Sequence, residues 1–143
     1  MGKIEDKIRA IEQIGNSLHT MTRAIVGNNV VFLTWAVGEQ MYEKGKDGYG
    51  KSLGRYSPYT VKKKKSKGQR YDHITLRDTG AFHKELQAVL DDDGFSLYSR
   101  DGKSEKWIIP RWGESIFRPD DETLDMLKDE IRQQLTQTIK KKL

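Results

Sequence analysis

Apolar residues recur at intervals of three and four positions over the first 25 residues, and this period predicts an amphipathic helix. The stripe consists of Ile4, Ile8, Ile11, Ile14, Leu18, Met21 and Ile25. Gly27-Asn28-Asn29 interrupts it, and Asn29 is a suitable N-cap for a second helix. The apolar positions of that second helix are Val30, Val31, Leu33, Trp35, Val37 and Met41. Because Gly15-Asn16 could break the first helix, the pattern leaves either two or three N-terminal helices open.

The period changes to two in the middle of the chain, where apolar and polar residues alternate. This alternation predicts two strands, whose apolar positions are Leu86, Ala88, Leu90, Phe95 and Leu97. Asp93-Gly94, between them, is a hairpin turn signal. Asp101-Gly102 is a second such signal, and it precedes a third predicted strand at residues 105–109 with Trp107 and Ile109 on one face. Together these segments predict a three-stranded antiparallel meander with one solvated face.

Shorter elements are predicted before the meander, and a long helix after it. Residues 74–76 form a short apolar run typical of a strand, and Asp78 or Thr79 is a suitable N-cap for a helix from Gly80 to about Glu85. Near the C-terminus, Pro119-Asp120-Asp121 opens a helix with acids in its first turn and lysines in its last, which matches the helix dipole at both ends. Its apolar stripe is Leu124, Leu127, Ile131, Leu135 and Ile139.

Helices on both sides of a small antiparallel sheet predict an α+β fold in one domain spanning residues 1–143. The expected order is N-terminal helices, the small β-meander, and a long C-terminal helix packed on the sheet. A chain of 143 residues is long enough to bury a core without covalent cross-links. It contains no cysteine, which excludes disulfides and thiolate metal sites.

The net charge of +5 is concentrated in one segment. Residues 56–78 carry seven Lys or Arg against two Asp, whereas residues 1–55 have a net charge of +2 and residues 79–143 one of −2. A glycine-rich stretch precedes the lysines. We therefore predict a long Gly/Lys-rich loop or arm at residues 45–72, which stays mobile until an acidic partner orders it. Pro58 is well placed to start one helical turn there, through Lys65.

The same segment carries an ordered motif: Tyr-Ser-Pro-x-Thr, a lysine-rich spacer, Lys-Gly, then Leu-x-Asp-Thr-Gly-x-Phe. Its residues are Tyr56, Ser57, Pro58, Thr60, Lys67, Gly68, Leu76, Asp78, Thr79, Gly80 and Phe82. This order, with a weaker match over residues 108–127, resembles the virion-morphogenesis proteins of tailed bacteriophages. The resemblance implies a minor structural protein of the neck or tail-completion type, located where head meets tail. It also implies a structural role for Pro58, Leu76, Asp78, Thr79, Gly80 and Phe82.

Two groups of residues are candidates for contact with partners. The first combines positive charge with aromatic rings and suits nucleic acid or an acidic protein surface: Lys62, Lys63, Lys64, Lys65, Lys67, Arg70, Tyr56 and Tyr59. Because the predicted helices lack a basic face, sequence-specific DNA recognition is not expected. The second group contains large aromatics in excess of what a small core needs, and we expect it at an oligomer interface: Trp107, Trp112 and Phe117.

Catalytic fingerprints are absent from the sequence. His73, Asp78 and His83 are close in sequence, but no metal-binding spacing such as His-Glu-x-x-His accompanies them. Gly50-Lys51-Ser52 resembles the end of a phosphate-binding loop, yet the upstream glycine spacing of that loop is missing. We therefore expect no enzymatic activity, no metal and no cofactor.

The leading hypothesis is a non-enzymatic phage structural protein, a head–tail connector, neck or tail-completion subunit that assembles into a homo-oligomeric ring. Its expected partners are other neck, portal-side or tail proteins, with non-specific contact to DNA. No apolar run is long enough to cross a membrane, so no membrane partner is expected. The protein would be made in the bacterial host cytoplasm and end in the virion. The alternative is a sequence-independent nucleic-acid-binding module that uses the basic loop at residues 56–78.

Overall fold

A computed structural model describes residues 2–91 and 94–143, and in this part of the chain it combines helices with a two-stranded antiparallel sheet. The predicted mixture of N-terminal helices, antiparallel strands and a long C-terminal helix is confirmed. The residues divide into two compact units, one of Met1–Asn29 with Asp125–Leu143 and one of Val30–Leu124.

The first unit contains helix α1, Lys3–Asn28, and most of the last helix. Gly15 does not interrupt α1, which runs continuously through it. Asn29 ends this helix instead of capping the next one: its backbone N–H donates to the Val26 carbonyl and its side-chain amide to the Ile25 carbonyl. The predicted N-cap role of Asn29 is therefore replaced by a C-terminal one, because an asparagine amide can donate to the free carbonyls of a helix end.

The second unit is built around helix α2, Val30–Glu39, which continues as a π-helical turn over Gln40–Lys44. Leu33, Val37 and Met41 are fully buried along one face, and α2 packs against strand β1. Strands β1, Leu86–Asp91, and β2, Gly94–Ser99, pair antiparallel with Leu86 opposite Ser99. Both predicted strands are thus confirmed, while Asp93 of the predicted turn lies outside the described residues.

The third predicted strand is wrong. Residues 104–108 form a π-helical turn, Ser104–Ile108, followed by helix α5, Ile109–Trp112, and a 3-10 turn, Glu114–Phe117. Asp101 causes the difference: its carbonyl accepts from the Ser104 N–H, and its carboxylate accepts from the Lys103 N–H. Both bonds bend the chain into a helical turn, so the sheet of the described residues has two strands instead of three.

The short strand expected at residues 74–76 is also wrong. Leu76 has a φ of 56°, in the left-handed region, which an extended strand cannot contain. Helix α4, Ala81–Lys84, follows with Gly80 as its N-cap at a φ of 88°. The Thr79 hydroxyl accepts from the Ala81 N–H, so Thr79 assists the start of this helix from one position farther out than predicted, while Asp78 is not its cap.

The final helix, α6, spans Asp121–Lys142, and its predicted start is confirmed. The Asp120 carboxylate accepts from the Thr123 N–H. Burial raises the pKa of Asp120, but hydrogen bonds from Thr123 and Lys44 outweigh it, so the pKa lies below its usual value. The buried Gln40 side chain accepts from the Asp120 N–H and donates to the Arg118 carbonyl. From Asp125 onward α6 belongs to the first unit, and its predicted packing on the sheet stays a prediction.

Candidate partner-binding cleft

The glycine-rich segment before the lysines is held to the second unit by hydrogen bonds and does not project from it. The buried Asp47 carboxylate accepts from the Tyr49 and Lys51 N–H groups and from the Ser115 hydroxyl, each at 2.9 Å. Gly48 donates to the Ser115 carbonyl and accepts from the Arg118 guanidinium. The segment expected as an arm therefore begins as a fixed turn.

Helix α3, Pro58–Ser66, carries the lysines. Pro58 is its first residue, as predicted, and the Ser57 hydroxyl caps it by accepting from the Thr60 N–H. The helix ends one residue beyond the predicted end at Lys65. Lys64 is only 7% exposed: its ammonium donates to the Arg77 carbonyl at 3.0 Å and lies over the Tyr56 ring. These contacts replace the water that a lysine normally keeps.

Three of the eight residues predicted to contact a partner already make hydrogen bonds or ion pairs with other residues of the chain. Besides Lys64, Tyr56 accepts from the Thr75 N–H through its hydroxyl. Arg70 is paired with Glu43 and Asp72 at 2.7 and 2.8 Å. Hydrogen bonds to these carboxylates raise the pKa of Arg70, and the bond from Arg70 lowers the pKa of Asp72. That Tyr56, Lys64 and Arg70 contact a partner stays a prediction, although each of them already makes a polar contact within the chain.

The other five residues of that group remain exposed: Lys62, Lys63, Lys65, Lys67 and Tyr59. Lys63 lies over the Tyr59 ring, and Lys65 over the Tyr71 ring. Lys67 is 3.9 Å from the Asp78 carboxylate. The surface of α3 thus presents cations interleaved with tyrosines.

One face of α3 forms a wall of a cavity of about 400 Å³, which we call the α3 cleft. Residues 74–82 form its floor and second wall, and residues 101–112 close the third side. Ile74, Phe82 and Ile108 are buried and make the floor apolar. The basic side chains of the lining are Lys63, Lys64, Lys67, Arg77, Lys103 and Arg111, and the acidic ones are Asp78 and Asp101. Cations therefore surround an apolar floor.

Most of the motif residues meet at this cleft, although they were expected only to be structural. Leu76, Asp78, Thr79, Gly80 and Phe82 all line it, whereas the motif's proline starts α3 on the outside. The sequence reasoning missed the third side of the cleft. A signal existed in the basic residues beside the Asp101-Gly102 turn, but the turn was interpreted only as a hairpin leading into a strand at residues 105–109.

The predicted interface aromatics have three different environments. Trp107 is 67% exposed. Trp112 is half-buried, lines the α3 cleft and donates its Nε1–H to the Leu53 carbonyl at 2.8 Å. Phe117 is buried with its ring 5.9 Å from that of Phe82. The expectation that Phe117 is an exposed anchor is wrong, because it belongs to the core of the second unit.

The histidines near the motif make structural hydrogen bonds. His73 Nε2 donates to the Tyr42 carbonyl at 2.6 Å, and His83 Nε2 to the Thr75 carbonyl at 2.9 Å. Burial lowers the pKa of His83 below its ordinary 6.5, and the nearby Arg77 charge lowers it further. Within residues 2–91 and 94–143, no three His, Cys, Asp or Glu side chains are arranged to hold a metal ion.

Known proteins offer no direct guide to this cleft. Comparison finds no match to a family model, to a curated protein or to a solved structure. The resemblance to virion-morphogenesis proteins therefore stays a hypothesis that rests on the motif residues alone. Of the helices described, none is both long and apolar enough to cross a membrane.

Proposed function

We propose that this chain is a non-enzymatic structural subunit of a tailed-phage virion, which assembles with copies of itself into a ring at the head–tail junction. The observation that carries the self-assembly is an apolar stripe on α1 that stays exposed, the α1 stripe. Ile4, Ile8, Ile11 and Leu18 are 75%, 50%, 56% and 38% exposed. A helix that exposes four large aliphatic side chains on one face is typical of an interface that another chain covers.

The α1 stripe lies on the same face of α1 as the buried residues Ile14, Ile25 and Val26. At 3.6 residues per turn, its centre is within roughly 75° of each of these three residues, so α1 buries only part of this apolar face. Ile4, Ile11 and Leu18 are spaced by seven residues, the repeat that brings helices together side by side in coiled coils. Helix-to-helix contact between identical subunits would cover the part of this face that stays exposed.

The motif supports the virion part of the proposal. Its residues meet at one cleft instead of being scattered through the fold, as expected if they form a functional unit. A ring of subunits that each present such a cleft would offer repeated sites to the next component of the virion. The proposed virion role rests on the motif resemblance, whereas the proposed self-assembly rests on the α1 stripe. Either proposal can therefore be refuted without the other.

The test of self-assembly is the mass of the purified protein measured over a range of concentrations by sedimentation or light scattering. We expect a single closed oligomer that dissociates in the variant Ile8→Glu/Ile11→Glu. The matched control is Gln13→Glu/Thr20→Glu, which adds the same charge to exposed positions on the opposite face of α1. A monomeric mass at every concentration, or equal dissociation of both variants, would refute the assembly.

A second candidate function is non-specific nucleic-acid binding, which the exposed lysines and tyrosines of α3 favour. Because Lys64 is internal, the informative variant replaces Lys62, Lys63 and Lys65 by serine. Loss of DNA retention with an unchanged oligomer mass would support this function over assembly. Loss of assembly in a protein that never retained DNA would support the first proposal.

A further inference from the structure

We propose that the α3 cleft binds an acidic peptide segment of a partner protein, with one large apolar side chain on the cleft floor and carboxylates against the surrounding cations. This inference goes beyond self-assembly and does not depend on the α1 stripe. A ring subunit could lack the peptide site, and a monomer could possess it.

The size and floor of the cleft suit one side chain with its flanking backbone. Its volume of about 400 Å³ is within the range of ligand-binding pockets. Buried Ile74, Phe82 and Ile108 give an apolar surface at its base. Transfer of a Phe or Leu side chain from water to such a surface is favourable, and it would anchor the segment.

The positive charge around the floor of the cleft favours a partner with acidic side chains. Among the described residues, Lys63, Arg77, Lys103 and Arg111 line the cleft without an ion pair to a carboxylate. Lys63 and Lys103 line the cleft from two different segments, one on α3 and one after the Asp101 turn. A bound segment with carboxylates on both sides of its anchor would meet a cation on each side.

The polar groups of the cleft favour a peptide over a nucleic-acid strand. Gln69 Oε1 and Asp101 Oδ2 are buried in lining residues and accept no hydrogen bond from the part of the chain that the structure describes. A peptide backbone supplies N–H donors for such oxygens, whereas a phosphodiester backbone has none.

The cleft is formed before any ligand binds. Lys64 and Gln69 donate to the carbonyls of Arg77 and Asp78, at 3.0 and 2.8 Å, and thereby fix the wall opposite α3. Leu76, directly before Arg77, has a left-handed conformation with a φ of 56°. Backbone strain of this kind persists only where the surroundings enforce it, and it is concentrated at binding sites. A preformed wall lowers the entropic cost of binding.

The experiment uses fluorescence anisotropy of a dye-labelled peptide with one phenylalanine flanked on each side by two glutamates. We expect the protein of residues 1–143 to bind it, and binding to weaken about tenfold in Lys63→Glu/Lys103→Glu. The matched control is Lys62→Glu/Lys106→Glu, which makes the same charge change at exposed lysines of the same two segments that do not line the cleft. The control should bind nearly as well as the unaltered protein.

Two further peptides test the two halves of the proposal. A peptide with glutamines in place of glutamates, and one with alanine in place of phenylalanine, should each bind about tenfold more weakly. Absence of binding by the unaltered protein, equal weakening in the two lysine variants, or equal affinity of the phenylalanine and alanine peptides would overturn the proposal. Tighter binding of a single-stranded oligonucleotide with the same dependence on Lys63 and Lys103 would replace it with nucleic-acid binding.

Hydrogen exchange measured on the unaltered protein tests the proposal even if the Lys63→Glu/Lys103→Glu variant fails to fold. In the unaltered protein, the peptide should slow exchange of backbone amides at residues 74–82 and 101–112. Slowing elsewhere, with none at these residues, would overturn the proposal without any variant.

Discussion

Replacement of Asp47 tests whether the glycine-rich segment is a fixed part of the second unit. The carboxylate is buried and accepts three hydrogen bonds, from two backbone N–H groups and the Ser115 hydroxyl. A hydrogen bond to a charged group contributes about 1.5 kcal/mol or more. Because Tyr49 and Lys51 are exposed, water can replace part of what is lost. We therefore expect Asp47→Ala to lower the free energy of unfolding by about 3 kcal/mol, less than the sum of three bonds.

The variant Asp47→Asn distinguishes the loss of hydrogen bonds from the loss of the side chain that fills this position. Asp47→Asn keeps one carbonyl oxygen for the two N–H groups, and the Ser115 hydroxyl can rotate to accept from the new amide. Its cost should be about 1 kcal/mol. Glu105→Ala removes an exposed carboxylate from the same unit and should change stability by less than about 0.5 kcal/mol.

Urea unfolding followed by tryptophan fluorescence measures these differences. All three tryptophans belong to the Val30–Leu124 unit, so the signal follows this unit specifically. The midpoint should fall in the order Glu105→Ala, Asp47→Asn, Asp47→Ala, with an unchanged slope. An Asp47→Ala protein within about 1 kcal/mol of the original, or an asparagine variant as unstable as the alanine one, would refute the reasoning.

Two more predictions concern the same unit. Gly48→Ala should lower the thermal midpoint markedly, because an added Cβ would lie 2.2 Å from the Arg118 carbonyl oxygen, whereas Gly102→Ala, with open space around it, should have little effect in the same calorimetric scan. Acidification should destabilise the protein as the pH falls through 6.5, since His83 takes up a proton more readily when unfolded than when folded. His83→Gln keeps a donor for the Thr75 carbonyl and should flatten this part of the stability-against-pH curve; an unchanged slope would show that His83 is not its source.

Local periodicity was sufficient to predict the elements whose own sequence carries a regular apolar pattern. The three-and-four period predicted α1, α2 and α6, and the alternation around Leu86 and Leu97 predicted both strands of the hairpin. The third strand failed because residues 105–109 alternate like a strand while Asp101, outside that window, bends the chain into a helical turn. A periodicity argument does not include such a side-chain contact.

The candidate site was only partly predictable for a similar reason. The lysine-rich sequence identified α3 as a cationic surface, but which lysine is internal depends on the Arg77 carbonyl, 13 residues away. The contribution of Lys103 to the cleft depends on how a distant segment folds back. Likewise, amphipathicity predicted α1 but not that Ile4 and Ile11 stay exposed, because apolar stripes facing a core and those facing a partner have the same period.

Gln40 restricts how this sequence can diverge. Its side-chain amide donates a hydrogen bond to the Arg118 carbonyl and accepts one from the Asp120 N–H, at the junction between the end of α2 and the start of α6. Glutamate would forfeit the first bond and lysine the second, while leucine would leave both backbone groups stranded away from water. Homologues that share this junction should therefore retain glutamine there, even where the neighbouring helical surface has drifted.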